Sequence, residues 1–379
     1  MRWWLVCPLR SSATSTNNHN MGQTHTGKTT MPKMRNSNLE LFRIVLMLMI
    51  IAHHYVVNSG LTALYDFSHI SGNQLFLEFF GWGGKCGINC FVLITGYFMC
   101  TKQFTWRKFL KLYLEIKFYR ITIFLIFALC GYEAFSLSGA FKATFNVALG
   151  IGKNFPASFI ALFLLIPFIN KLIDNLSKKS HLHLLLVLLA VYSLLETLFF
   201  NKAFEYIGWY VTVYLIGAYL RLYPFPFAKN VKRCAALALA MFSLCMLSII
   251  AFTYIPWLPK NVYYCVSDSN KILAITSAVS FFLLFNSIQL KPSRVINTLA
   301  SATFGVFLIH ANGPTMRHWL WHDTLKNVTF FNSDYLWLHA IVSIALVFAV
   351  CCCLDLARQY LFEKPLFKLL DRKFPLLDQ

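Results

Sequence analysis

The sequence contains ten apolar runs, each about as long as a helix that crosses a membrane. A hydrocarbon core about 30 Å thick is crossed by roughly 20 helical residues. Lipid offers the backbone no other hydrogen-bond partner, so these segments must be helices rather than open strands. The runs predict an all-α, polytopic integral membrane bundle of about ten transmembrane helices. They lie near residues 39–58, 75–99, 112–131, 155–173, 182–200, 206–222, 234–255, 271–289, 298–316 and 336–354.

The composition indicates that lipid is the main solvent of this chain. Of its 379 residues, 58% are hydrophobic and only 13% are charged, whereas a soluble domain carries roughly 25% charge. A larger core cannot hide that deficit, because single cores stop growing near this size. The formal net charge of +19 would suggest nucleic acid in a soluble protein. In a membrane protein it first reports orientation, and we expect no nucleic-acid partner.

The distribution of basic residues predicts that orientation. With the N-terminus in the cytoplasm, 24 Lys and Arg residues fall in cytoplasmic segments, seven in outer segments and three within spans. Short cytoplasmic loops of membrane proteins carry such an excess. Because the asymmetry holds loop by loop, we predict that both termini are cytoplasmic.

The two ends of the chain differ from the apolar part. Residues 1–36 are rich in Ser, Thr and Asn, and we expect either a disordered cytoplasmic extension or an untranslated one, since Met34 is an alternative start. Residues 37–357 form the predicted ten-helix domain, and residues 358–379 a basic cytoplasmic tail. The eleven Cys show no CxxC pair and no Cys/His ligand spacing. Free Cys behaves as a small hydrophobe, so we predict packed free thiols and no metal site.

Two ionisable residues share one face of the first predicted helix. Arg43 and His54 are eleven residues apart, which places them about 20° out of alignment and about 16 Å apart along the axis. Ionisable groups within a span are costly and are therefore functional candidates. The alternatives are a snorkelling anchor for Arg43 and a structural hydrogen bond for His54. His53 points elsewhere, and a structural role is expected for it.

The second predicted helix is rich in glycine between Gly81 and Gly87. In a membrane, glycines allow close helix approach or a break in the helix. Lys85 falls near mid-depth, where an unpaired ammonium is expensive. Glu78 is one candidate partner, and such a structural pair is the alternative to a functional role for Lys85. Asn89 is expected to link helices.

A basic segment that contains Arg107, Lys108 and Lys111 leads into the third predicted helix. These cations either follow from the positive-inside rule or bind a phosphate-bearing cytosolic ligand, because Lys and Arg bind phosphate well. Glu196 and Asp355 are weaker candidates, for which structural roles are expected.

The ninth predicted helix carries His310 at about the depth of His54. The alternative for His310 is a core histidine bonded to a backbone carbonyl. The two histidines and Lys85 converge in the outer half of the predicted bundle, beyond a cationic cytoplasmic face. That layout suits a reaction between a cytosolic anionic donor and an outward-facing acceptor. It also suits a proton-coupled exporter or glycan flippase, although no internal repeat of the transporter kind is visible.

Four segments, in order, resemble the bacterial membrane acyltransferase 3 family. In the opening helix, Arg43, ten further residues and His54 match the hallmark spacing of the family. The others are residues 87–98 (GINCFVLITGYF), 209–221 (WYVTVYLIGAYLR) and 304–310 (FGVFLIH). The resemblance spans about residues 36–370 and is nearest to O-acetyltransferases of enterobacterial common antigen and other surface polysaccharides. Where the family often carries Arg-x-x-Arg, this chain has Lys108-Phe-Leu-Lys111, and residues 154–158 lack a Trp expected there.

This resemblance implies a membrane O-acyltransferase of the bacterial cytoplasmic membrane. Such an enzyme moves an acyl group, usually acetyl from acetyl-CoA, to a hydroxyl of a surface glycan or its lipid-linked precursor. It implies roles for Arg43 and His54, with His54 as general base or transient acyl carrier. Lys85 or His310 would stabilise the oxyanion. The CoA phosphates are expected on a set of cytoplasmic cations, namely Arg43, Arg107, Lys108 and Lys111.

Overall fold

The computed structural model describes residues 37–199, 205–258 and 261–373, and all regular secondary structure among them is helical. The predicted extension at residues 1–36 and the last six residues of the predicted tail lie outside the described residues. Short 3₁₀ and π-helical turns join several of the helices. The α-helices are α1 Ser37–Val57, α2 Gly72–Phe80, α3 Gly84–Met99, α4 Trp106–Leu129, α5 Leu137–Thr144, α6 Asn146–Gly150, α7 Phe155–Asp174, α8 Lys178–Leu189, α9 Leu195–Phe199, α10 Tyr206–Leu222, α11 Val231–Tyr254, α12 Ile272–Ser287, α13 Arg294–Ser301, α14 Thr303–His310, α15 Pro314–His318, α16 Leu336–Arg358 and α17 Lys364–Lys373.

Five helical segments within the described residues are long and apolar enough to cross a membrane, and a sixth is bent by 97° at its middle. The fold is therefore that of an all-helical, multi-pass membrane protein with five or six candidate spans. Helix also occupies the other predicted runs, but α10 and α12 have only 17 and 16 residues, and α4 carries several charges along its length. The six segments are Ser37–Val57, Phe155–Asp174, Lys178–Phe199, Val231–Tyr254, Leu336–Lys373 and the bent pair Arg294–His310 with Pro314–Thr324.

The glycine-rich segment of the second predicted span provides both a break and close contacts. Helix α2 ends at Phe80, and α3 begins at Gly84 after a turn. A Cβ atom on Gly84 would lie 2.3 Å from Cγ of His53. Further along α3, a Cβ atom on Gly96 would lie 2.3 Å from the backbone oxygen of Tyr214. Small residues thus let α3 approach both α1 and α10 at backbone distance.

Asn89 links three parts of the bundle through its side-chain amide. Its Oδ1 accepts a 3.0 Å hydrogen bond from the indole of Trp209 in α10. Its Nδ2 donates a 2.6 Å bond to the backbone oxygen of Ser269, just before α12. An amide whose oxygen and nitrogen are both bonded to neighbouring segments fixes the orientation of packed helices, which agrees with the linking role predicted for it.

A buried ionic cluster joins α4 to the end of α16. The guanidinium of Arg358 lies 3.1 Å from Glu115, 2.8 Å from Asp355 and 2.9 Å from Glu363. Tyr119 donates a further 2.7 Å hydrogen bond to Asp355. The predicted cytoplasmic tail begins at Arg358, but this residue is buried in the structure. Helix α16 ends at Arg358 and continues through a π-helical turn into α17. Asp355 lies within α16 rather than after the tenth helix and has the structural role expected.

The other acidic candidate, Glu196, and most of the thiols are also packed within the bundle. Glu196 accepts a 2.5 Å bond from Asn270 and forms a 3.6 Å ion pair with Lys271. The ten cysteines within the described ranges are all free, and the prediction of packed thiols is confirmed for the seven that are buried, whereas Cys130 and Cys353 are exposed.

Candidate active site

A cavity of about 760 Å³ opens where α1 ends. Its wall is built by α1, α3, α4, α5, α6, α10, α14, the start of α7, and the loop and short helix α15 that follow α14. His54 and Lys85 line it together with apolar side chains such as Phe307. Ligand sites typically combine an apolar lining with a few convergent polar groups. Two of the four predicted catalytic residues therefore face one cavity, and a third, His310, lies directly behind His54.

His54 and His310 share a hydrogen bond whose direction follows from their other contacts. Nδ1 of His310 lies 2.6 Å from the backbone oxygen of Val306, and a carbonyl oxygen only accepts, so this Nδ1 carries a proton. In a neutral ring, Nε2 of His310 is then an acceptor. Nδ1 of His54 lies 3.0 Å from that Nε2 and must be the donor. Nε2 of His54 consequently keeps its lone pair, and no hydrogen bond to it occurs among the described residues.

His53 also lines the cavity, but its ring is held by different contacts from that of His54. Its Nδ1 donates a 2.6 Å hydrogen bond to the backbone oxygen of Gly81, in the turn between α2 and α3. Its ring also packs against Gly84, where any side chain would collide with it. These contacts fix the α2–α3 turn against α1, so His53 has the structural role predicted for it.

Lys85 follows the first residue of α3, and its ammonium lies 3.6 Å from the carboxylate of Asp268. The candidate partner Glu78 does not pair with Lys85. Its carboxylate instead accepts hydrogen bonds of 3.0 Å from Gln74 and 2.6 Å from Thr253. The two side chains point in different directions because the helix breaks between Glu78 in α2 and Lys85 in α3. Asp268 lies in an irregular segment before α12, and its sequence context carries no periodic signal.

The predicted phosphate-binding cations do not line the cavity, and most of them contact carboxylates. Arg43 lies 3.5 Å from Glu40, toward the other end of α1. Arg107 pairs with Asp371 of α17. Lys111 lies 2.6 Å from Glu363. The ammonium of Lys108 donates a 3.0 Å bond to the backbone oxygen of residue 103. Arg43 and His54 thus occupy opposite ends of the same helix.

Four further cationic residues line the cavity and were not predicted as site residues, namely Arg120, Lys142, Lys153 and Arg317. Arg120 was a candidate by the rule that ionisable groups within spans are functional, because it falls inside the third predicted run. Arg317 lies beyond the bend after α14 and had no signal beyond its charge. Among the described residues, no group of three or more His, Cys, Asp or Glu side chains is arranged to hold a metal ion.

Comparison with known families agrees with the resemblance noted in the sequence. A family model described as an acyltransferase domain, that of the acyltransferase 3 family, matches residues 36–357. No curated protein and no solved structure matches the chain. The family match covers most of the chain and favours the acyltransferase over the exporter or flippase. We conclude that this protein belongs to the acyltransferase 3 family and is a membrane acyltransferase.

Proposed function

We propose that the protein transfers an acetyl group from acetyl-CoA to a hydroxyl of a surface glycan, or of its lipid-linked precursor, in the bacterial cytoplasmic membrane. The observation that carries this proposal is the unbonded Nε2 of His54 in the cavity, held by the bond from Nδ1 to His310. An imidazole with one nitrogen fixed as donor presents the other as a base. Acyl transfer to a hydroxyl requires such a base.

In the proposed reaction, Nε2 of His54 takes the proton of the acceptor hydroxyl. The hydroxyl oxygen forms a bond to the thioester carbon, and a tetrahedral oxyanion results. The carbon–sulfur bond then breaks, and the CoA thiolate leaves with the proton held by His54. The bond from Nδ1 of His54 to His310 keeps the ring oriented while it is cationic. Transient acylation of Nε2 is the alternative route and uses the same lone pair.

Lys85 is the better candidate for stabilising the oxyanion. Its ammonium lines the cavity and is held near Asp268 at 3.6 Å. His310 cannot donate to an oxyanion in the tautomer described above, because its single N–H points to Val306. We therefore assign His310 a positioning role and Lys85 the electrostatic role.

The donor is proposed to approach from the opposite end of α1. There, Arg43, Arg107, Lys108 and Lys111 would hold the CoA phosphates, while the acyl thioester extends toward His54. The carboxylates that contact three of these cations would have to be displaced by the phosphates. Arg binds phosphate bidentately and Lys as a point charge, so both can exchange a carboxylate for a phosphate.

Ten spans with both termini in the cytoplasm complete the proposal. Helix in every predicted run and the bias of Lys and Arg toward one side support this topology. Alkaline phosphatase, which folds only outside the cytoplasm, would be active when fused after Lys326 and inactive when fused after Lys178. The reverse pattern would contradict the topology.

The test of the activity compares surface-glycan acetyl content by NMR in three strains. These are the wild type, the deletion, and the deletion complemented with His54→Ala. We expect the O-acetyl signal to disappear in the deletion and not to return with the variant. Equal acetylation in all three strains would refute the proposal. Transfer of radiolabel from acetyl-CoA to the glycan separates this activity from export of an intact glycan, which moves no label.

A further inference from the structure

The cavity beside His54 is lined by five cationic side chains. Among the described residues that line it, none is Asp or Glu. Of the lining cations, Lys85 alone forms an ion pair with a described residue, Asp268, which lies outside the wall. A low-dielectric pocket with one sign of charge concentrates ligands of the opposite sign. The five cations are Lys85, Arg120, Lys142, Lys153 and Arg317.

Two of these cations, Arg120 and Arg317, are half-buried, and their hydrogen bonds to described residues all end on neutral oxygens. Nη1 of Arg120 donates a 3.1 Å bond to Oδ1 of Asn312. Nη1 of Arg317 donates a 3.3 Å bond to Oδ1 of Asn58, and its Nε a 3.2 Å bond to the backbone oxygen of Gly313. Neutral partners orient a guanidinium without neutralising it. The carboxylate of Glu133 attracts Arg120 electrostatically, but these two residues do not form an ion pair.

The two guanidiniums are organised by the same short loop, which follows His310. Arg120 contacts Asn312, and Arg317 contacts Gly313. A Cβ atom on Gly313 would lie 2.8 Å from Nη1 of Arg120, so the absence of a side chain there leaves room for the guanidinium. A guanidinium has five N–H donors, and the described bonds occupy Nη1 of Arg120 and Nη1 and Nε of Arg317. The remaining donors suit the two oxygens of a phosphate or carboxylate.

We propose that the acceptor is anionic and that Arg120 and Arg317 hold its phosphate or carboxylate group while its hydroxyl faces His54. This inference rests on the proposed acetyl transfer. The site lies at the end of α1 opposite Arg43 and Arg107, where the donor phosphates are proposed to bind. The anion is therefore assigned to an acidic saccharide or a saccharide phosphate rather than to CoA.

The first experiment measures binding to the purified full-length protein in detergent. The probes are methyl glucuronide and N-acetylglucosamine 1-phosphate, with the uncharged methyl glucoside and N-acetylglucosamine as their references. Hydrogen bonds to a charged group are stronger than those between neutral groups, so we expect the anionic probes to bind at least about tenfold more tightly. Arg120→Gln and Arg317→Gln should each remove most of that preference, and Arg120→Lys should retain part of it.

Two controls separate the anion site from other effects. Lys326→Gln removes a cation at the same end of the bundle but outside this cavity, and it should leave the preference unchanged. The donor arm compares acetyl-CoA with S-acetylpantetheine, which lacks the phosphates. The KM ratio of these two donors should be the same in the wild type and in Arg120→Gln.

The possible outcomes distinguish the anionic acceptor from the acetyl transfer itself. Equal binding of anionic and neutral probes, or a donor KM ratio that collapses in Arg120→Gln, would overturn the anionic acceptor. Label transfer from acetyl-CoA without a preference for anionic over neutral probes would also overturn the anionic acceptor, but it would support the acetyl transfer. Charge-selective binding without any label transfer would support the anion site and refute the acetyl transfer.

Discussion

Nδ1 of His54 lies 3.0 Å from Nε2 of His310, a residue 256 positions away in the chain. Since Val306 holds the other nitrogen of His310, this contact determines which nitrogen of His54 is free. In many hydrolases, a hydrogen-bonded neighbour likewise fixes the tautomer of the histidine that acts as the base. Here the ring of His310 does this for His54.

Replacing His54 with Ala removes the proposed base. We expect acetyl transfer in isolated membranes to fall by about 10²- to 10⁴-fold, the usual contribution of a positioned base. Transfer is measured with radiolabelled acetyl-CoA. His183→Ala is the matched control, because His183 is exposed on α8 and should retain normal transfer. Full transfer by the His54 variant would exclude the mechanism.

Replacing His310 tests its positioning role. His310→Ala removes the acceptor for Nδ1 of His54, a hydrogen bond that becomes charge-assisted during the reaction. We expect kcat to fall roughly 10- to 100-fold with KM for donor and acceptor unchanged. His310→Gln keeps an acceptor at that position and should recover part of kcat. A merely structural role would lower the amount of folded protein instead, and Gln would not restore kcat.

Replacing Gly96 with Ala tests the contact between α3 and α10. The added Cβ would lie 2.3 Å from the backbone oxygen of Tyr214, so the helices must move apart. We expect the free energy of unfolding in detergent to fall by about 1–3 kcal/mol. Gly72→Ala is the control, because nothing lies within 4 Å of a Cβ built there. Equal stability of the two variants would show that the contact tolerates a methyl group.

Replacing Arg358 with Ala leaves Glu115 and Asp355 buried without their cation. Removing one partner from a buried ionic cluster costs about 3–5 kcal/mol, and we expect a loss of that size in unfolding free energy. Arg372→Ala, at an exposed position of α17, should change it by less than about 0.5 kcal/mol. A small effect at Arg358 would contradict the buried cluster.

Replacing Asp371 with Asn tests the proposed donor site. The carboxylate of Asp371 competes with the CoA phosphates for Arg107. A partly exposed pair contributes less than about 1 kcal/mol, so we expect KM for acetyl-CoA to decrease by about two- to fivefold. Arg107→Gln should raise that KM, and neither variant should alter KM for the acceptor. An unchanged donor KM in both variants would place the phosphates elsewhere.

Much of the candidate site was predictable because charge inside an apolar run is conspicuous. His54, Lys85 and His310 were identified on that ground, and the structure places His54 and Lys85 at one cavity with His310 bonded behind His54. Arg120 carried the same signal and was overlooked among the basic residues of its segment. Asp268 and Arg317 could not have been found this way, because they lie in irregular segments where no periodic pattern fixes their direction.

The sequence by itself determined the helical, multi-pass architecture and the family, because the length of an apolar run and the local order of motifs are properties of neighbouring residues. Only the tertiary structure decided the partners. It paired His54 with His310, gave Lys85 to Asp268 instead of Glu78, and buried Arg358 among carboxylates. These contacts depend on where helices break and how closely their backbones approach. Such features arise from packing between distant segments, which local periodicity does not encode.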